Sequence, residues 1–185
     1  MNKMKEVRIE KITLNIGVGE AGDRLEKASI LLEKLTGVKP TLTKSEKRIP
    51  GWGVRPGLTI GTKLTIRGKK AEELLKALLA SKENKLSERN FDNQGNFSFG
   101  IPEYIEIPGI EYIPEVGIIG LEVAVTLKRP GFRIKNRKYK KRKVPTRHRI
   151  TKEESIDFSK KNYSVQLIEE EKEWPQVIIV KHLHN

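Results

Sequence analysis

The densest chemistry in this sequence is cationic. Between Lys128 and Lys152 stand thirteen Lys or Arg and no acid, a surplus equal to the formal net charge of +13, so the rest of the chain balances at 24 against 24. Such a run repels itself unless a polyanion neutralises it. The interleaved Gly131, Phe132, Tyr139, Pro145 and His148 suit an extended segment tracking a phosphate backbone. Arg133, Lys135, Arg137, Lys138, Lys140, Lys141, Arg142 and Lys143 are the expected phosphate contacts. The competing readings of the run are a targeting signal or a solvated face.

A second basic stretch, Lys39 to Lys70, holds nine Lys or Arg against Glu46 alone. Its segment Gly51-Trp52-Gly53-Val54-Arg55-Pro56-Gly57 lacks the Lys-Ser/Thr pair of a nucleotide-binding phosphate loop. It offers mobility, a guanidinium and an indole. Trp52 and Arg55 can stack on bases or ribose and contact phosphates, which is RNA chemistry; the alternative is that Trp52 tucks the loop onto the core. By contrast, Ile101 to Leu127 carries five glutamates and no basic residue, so the molecule should have faces of opposite sign.

Gly17-Val18-Gly19-Glu20-Ala21-Gly22 has the spacing and the strand-to-helix placement of a dinucleotide-binding turn. That reading also needs an acid near the end of the second strand and repeated strand–helix–strand units. Thr41 to Lys44 offers no acid, and the units are missing, so the glycines read as a turn with unusual backbone angles and no cofactor is expected. Nor is catalysis. The histidines are His148, inside the basic run, and His182 and His184, whose His-x-His spacing reads as a solvated tail; no Ser or Thr has an evident base, and no carboxylate pair stands out. Phe97 and Phe99 alternate as stacking aromatics on a sheet would, but between glycines they read first as core.

These residues need elements to position them. Cysteine is absent, which suits a reducing interior. No apolar run approaches the roughly 18–20 residues of a membrane span, and Met1 to Ile12 alternates charge with apolar residues, which predicts a soluble, unexported chain with no membrane partner. Val7, Ile9, Ile12, Leu14 and Ile16 predict a strand with a bulge near Lys11. Asp23 with Glu26 resembles a capping box opening a helix with the stripe Leu25, Ala28, Leu32 and Leu35, stopped at Gly37. A short strand over Val38 to Thr43 precedes the long basic loop, Lys44 to Gly57. Leu58 to Arg67 reads as a strand and Lys69 to about Lys82 as a helix packing Leu74, Leu75, Leu78 and Leu79. Glu83 to Gly117 is turn-rich, with a short strand expected over Tyr104 to Ile107, and Ile119 to Leu127 alternates most cleanly of all. The basic stretch looks too charged to bury. Thr151 with Glu154 predicts a capped helix to about Lys161, and Tyr163 to Ile168 with Val177 to Val180 a terminal hairpin. Strands and helices mix without regular alternation, so the expected fold class is α+β, a two-layer, largely antiparallel sheet covered by helices on one face with long basic loops.

The blocks Glu10-Lys11-Ile12-Thr13-Leu14-Asn15-Ile16-Gly17-Val18-Gly19-Glu20-Ala21, Leu35-Thr36-Gly37-Val38-Lys39-Pro40, Pro56-Gly57-Leu58-Thr59-Ile60-Gly61-Thr62-Lys63-Leu64-Thr65-Ile66-Arg67-Gly68 and Phe91-Asp92-Asn93-Gln94-Gly95-Asn96-Phe97-Ser98-Phe99-Gly100 resemble, in that order, the family of large-subunit ribosomal protein number five. The likeness covers about residues 5 to 160, and His148 to Glu154 resembles the archaeal and eukaryotic branch. It implies a structural, non-enzymatic protein of the cytoplasmic ribosome that binds 5S ribosomal RNA and helps attach it in the central protuberance, next to large-subunit ribosomal RNA. The neighbours it implies are a second 5S-binding ribosomal protein, the P-site transfer RNA and a small-subunit bridge protein. It also implies an RNA-facing surface containing Asn15 and Thr65 with Lys44, Lys47, Arg48 and Lys63, and a loop toward the transfer RNA made of Gly51, Trp52, Gly53, Val54 and Arg55. Val38 stands where bacterial members often have glutamine, and Glu46 where the family residue is typically small or basic. The expected organisation is one RNA-binding domain over 1–164, with the arm 128–152 inside it, and an appendage over 165–185.

Overall fold

The computed structural model describes residues 2–168. In chain order the elements are β1 (Arg8–Gly17), α1 (Asp23–Thr36), β2 (Thr41–Lys44), β3 (Thr59–Ile66), α2 (Lys69–Ala80), β4 (Lys85–Ser87), β5 (Phe97–Ile101), β6 (Leu121–Lys128), α3 (Arg133–Asn136), α4 (Lys152–Tyr163) and β7 (Gln166–Ile168). Five strands form one sheet in the order β2-β3-β1-β6-β5, antiparallel at each ladder. The β1–β6 register slips between Ile9 and Lys11, the bulge that the phase change near Lys11 predicts.

One face of the sheet is apolar because the period-two pattern puts Ile12, Leu14, Ile16, Leu64, Ile66, Val123 and Val125 on the same side. Against it lie Ala28, Leu31 and Leu32 of α1 and Ala71, Leu75, Leu78 and Leu79 of α2. The architecture is the expected α+β arrangement with helices on one face. Phe97 and Phe99 are buried in this core, Phe97 with its ring centroid 5.2 Å from that of Phe91, so they are packing residues and not a stacking platform.

Several details differ from the sequence reading for physical reasons. Asp23 does not cap α1: Gly22, at φ 140° and ψ −156°, takes the cap position without a side-chain bond, and Asp23 becomes the first helical residue, its carboxylate 3.0 Å from Lys27 one turn on. Gly37 closes the helix in the left-handed conformation, as expected. Tyr104 and Ile107 belong to no strand. A single 3₁₀ turn, Tyr104–Glu106, sends both inward, and the Tyr104 hydroxyl accepts from the Ile113 backbone N–H at 2.9 Å. Gln166–Ile168 pairs parallel with Lys85–Ser87, while Val177 to Val180, its expected hairpin partner, lies outside the described residues, as do His182 and His184.

The basic stretch is not uniformly exposed either. Arg129 is 5% exposed and donates to the Glu154 carboxylate and, at 3.1 Å, to the Arg149 carbonyl; Val144 and Ile150 are buried. Glu154 belongs to the predicted capping box, in which the Thr151 N–H donates to Glu154 Oε2 at 3.1 Å and the Glu154 N–H donates to Thr151 Oγ1 at 3.4 Å. Burial pushes the Glu154 carboxyl up, but the bonds from Thr151 and Arg129 outweigh it and hold the group below its ordinary value.

Candidate nucleic-acid interface

The residues that face away from the helices make a flat polar surface. Register places them in rows across the strands. One row runs Thr41, Lys63, Asn15, Glu122, Gly100; the next runs Thr65, Thr13, Ala124, Ser98. Because directly opposed residues share a face, Asn15 and Lys63 are neighbours and Thr65 lies one row away beside Thr13. The structure therefore brings together three residues that were separate in the sequence. Small side chains dominate, and no helix among the described residues covers them, so a backbone or the edge of a base can approach closely. Beyond Asn15 the strands pack closely: Thr43, Gly61 and Gly17 oppose one another, and a Cβ on the buried Gly61 would meet Ile16 O and Thr43 Oγ1, each at 2.9 Å, so only glycine fits there.

At this end of the sheet Lys44, expected in the loop, closes β2 opposite Thr59, and the β2–β3 loop carries Lys47 and Arg48, all three exposed. The loop is tied as a small hairpin, not left mobile. Ile49 and Val54 exchange backbone hydrogen bonds of 2.9 and 3.2 Å, the Ser45 N–H donates to Leu58 O at 2.8 Å, and a 3₁₀ turn, Pro50–Trp52, forms the tip. Val54 is buried and anchors the tip, whereas Trp52 is 77% exposed beside the exposed Gly51, Gly53 and Arg55. The indole does not tuck onto the core.

The arm sits at the opposite end, where Arg8 opposes Lys128. The ten residues of β1 at about 3.4 Å each set the two basic features roughly 30 Å apart. The base of the arm is pinned: Arg129 to Glu154, His148 Nε2 to the Pro130 carbonyl at 2.9 Å, and Ile150 packed over Gly95. Between these anchors Arg133, Lys135, Lys138, Lys140, Lys141, Arg142 and Lys143 are exposed and form no ion pair with any described residue, while Arg137 donates twice to the Lys140 carbonyl, at 2.7 and 3.0 Å, and ties off a turn. The inner side of the arm and the Gln94–Asn96 turn enclose a cleft of about 510 Å³, floored by Leu127, Phe132, Val144 and Ile150 and rimmed by Lys135, Lys141, Arg142, Lys143 and Arg149.

The glycine-rich turn has other work. The Val18 and Gly19 N–H groups, which a pyrophosphate would need, both donate to the Ile60 carbonyl at 2.9 Å. Among the described residues no group of three or more His, Asp and Glu is placed to hold a metal, and no helix is long and apolar enough to cross a membrane.

Two family models match consecutive parts of the chain: ribosomal protein L5 over residues 2–55 and the C-terminus of the same ribosomal family over residues 59–158. The chain belongs to the ribosomal protein L5 family. The large ribosomal subunit protein uL5 of Sulfurisphaera tokodaii is 52% identical over 170 residues, spanning 91% of this chain and 96% of that protein. That of Sulfolobus acidocaldarius is 52% identical over 168 residues, at 91% and 94%, and that of Methanosphaera stadtmanae 44% over 167 residues, at 90% and 99%. As an L5 family member the chain is a structural, non-enzymatic constituent of the large ribosomal subunit, and the dinucleotide reading of Gly17 to Gly22 is set aside.

Sequence reasoning missed Glu122 and Thr13 as members of the polar face and Arg129 as a buried ion. Alternation along β1 and β6 carried a signal for the first two, since every second residue had to face away from the core. Arg129 had none, because a lone buried cation inside a run of exposed ones looks like its neighbours.

Proposed function

We propose that this L5 family protein binds 5S ribosomal RNA through the open face of its sheet and helps attach it in the central protuberance of the large subunit. The observation that carries this is the register: Asn15 beside Lys63, with Thr65 one row away, on a flat face that no helix among the described residues covers. Hydrogen bonds from small polar side chains give shape selectivity there. Lys44, Lys47 and Arg48 at one end and the arm cations at the other neutralise phosphates of 5S and large-subunit ribosomal RNA. The exposed Trp52 and Arg55 at the tip of the β2–β3 hairpin suit contact with P-site transfer RNA. The acid-rich segment between β5 and β6 is open to protein neighbours, where a second 5S-binding protein and a small-subunit bridge protein belong. Residues 1–164 act as the RNA-binding domain.

The test is binding of the purified chain to 5S ribosomal RNA at near-physiological salt against excess transfer RNA. A preference above about tenfold, roughly 1.4 kcal/mol, supports a shaped site; equal competition would leave only charge attraction and sink the proposal.

A further inference from the structure

The central row of the open face contains a group for which a phosphate-binding surface has no use. Glu122 stands opposite Asn15 on one side and Gly100 on the other. Asn15 Nδ2 donates to Glu122 Oε2 at 3.1 Å, and Glu122 enters no ion pair with a described residue. Only an N–H can face a carboxylate, so the pair fixes the Asn15 amide: Nδ2 points at Glu122 with one hydrogen to spare, and Oδ1 points away. What remains for a ligand is a run of two carboxylate acceptors followed by one amide donor.

The run is accessible. A depression of about 520 Å³ opens over Asn15 and Glu122, bordered by Gly17, Gly100, Gly120 and Lys82. A Cβ on Gly17 or Gly100 would meet nothing within 4 Å, so neither strand screens the pair. A carboxylate repels a phosphate chain, and RNA seated here must present a donor. Guanine presents two adjacent donors, N1–H and N2–H, next to the acceptor O6 on its pairing edge, whereas adenine, cytosine and uracil do not. The pattern of acceptor, acceptor and donor on the protein is its complement.

We propose that Asn15 and Glu122 form a base-reading site for an unpaired guanine of 5S ribosomal RNA. Glu122 takes N1–H and N2–H, and Asn15 Nδ2 donates to O6. The inference rests on the open face being the RNA-binding surface, and its test separates the two.

Charge and base reading give Glu122→Gln opposite signs. If the face works by charge, removing a negative charge tightens 5S RNA binding. If a guanine is read, the new amide sets N–H against N–H, and affinity falls about tenfold or more at fixed salt with an unchanged salt slope. Glu122 is exposed, so the fold should tolerate the change. In parallel, kethoxal, which modifies guanine at N1 and N2, should find a guanine of 5S RNA protected by the wild-type chain and released with the variant. Tightened or unchanged affinity, or no guanine protected, overturns this site while leaving the 5S preference of the wild type standing. A wild type that does not prefer 5S RNA to transfer RNA overturns both readings.

Discussion

Two threonines of β3 show how a shift of one position parity changes what a residue does. Thr62 faces the helices, is fully buried and leaves its Oγ1 without a partner among the described residues; Thr65 faces the open side. A buried hydroxyl with no partner costs free energy that a methyl of the same shape does not. Thr62→Val should raise the unfolding free energy by about 1 kcal/mol, read as a higher urea midpoint, with 5S RNA affinity unchanged. A lower midpoint would mean that a bound water satisfies the hydroxyl. Asn15→Ala and Thr65→Ala should do the reverse, leaving stability alone while weakening 5S RNA binding a few-fold to about tenfold. Unchanged affinity in both would remove these two residues from the site.

The base of the arm is the element where stability and pH meet. The bonds from Thr151 and Arg129 hold the folded-state carboxyl of Glu154 below its ordinary value of 4.5. A lowered carboxyl contributes stability above its unfolded value and loses that contribution as pH falls through the lower, folded one. Glu154→Gln should therefore cost about 1 kcal/mol at neutral pH, a size limited by the partial solvation of Glu154. The gap from wild type should close as pH drops below 4.5; urea midpoints at a series of pH values measure it, and a gap independent of pH would assign the loss to packing. The same element shows what was legible in the sequence. Thr151 and Glu154 were readable because both halves of a capping box are local, whereas Asp23 with Glu26 had the right spacing and failed because Gly22 reached the cap position first. Strand periodicity gave the sheet and its open face. It could not give the pairing of Gln166–Ile168 with Lys85–Ser87, which depends on a partner distant in sequence, nor distinguish a strand from a 3₁₀ turn where Tyr104 and Ile107 both turn inward. Of the candidate site, residue chemistry alone carried the arm and the Trp52 loop; Asn15 and Thr65 came from the family likeness, since a single polar residue on the outer side of a strand looks ordinary.

For the whole molecule, the charge map separates attraction from selection. The cations lie mainly in two features at opposite ends of the sheet, and the face between them is nearly neutral. Neutralising three exposed lysines of the arm, Lys140, Lys141 and Lys143, should lower the slope of log affinity against log salt by about 2–3. The open-face variants should leave that slope unchanged, and an equal effect from both sets would contradict the division. The arm also differs from the free basic tails that bind nucleic acid through disorder, because the Arg129–Glu154 pair, the His148–Pro130 bond and the Ile150–Gly95 contact close it into a loop. A closed loop survives being cut. Trypsin acting at the exposed lysines and arginines between Arg137 and Lys143 should yield two fragments on a denaturing gel that still migrate as one particle under native conditions, with the arm's charges held in place on either side of the nick.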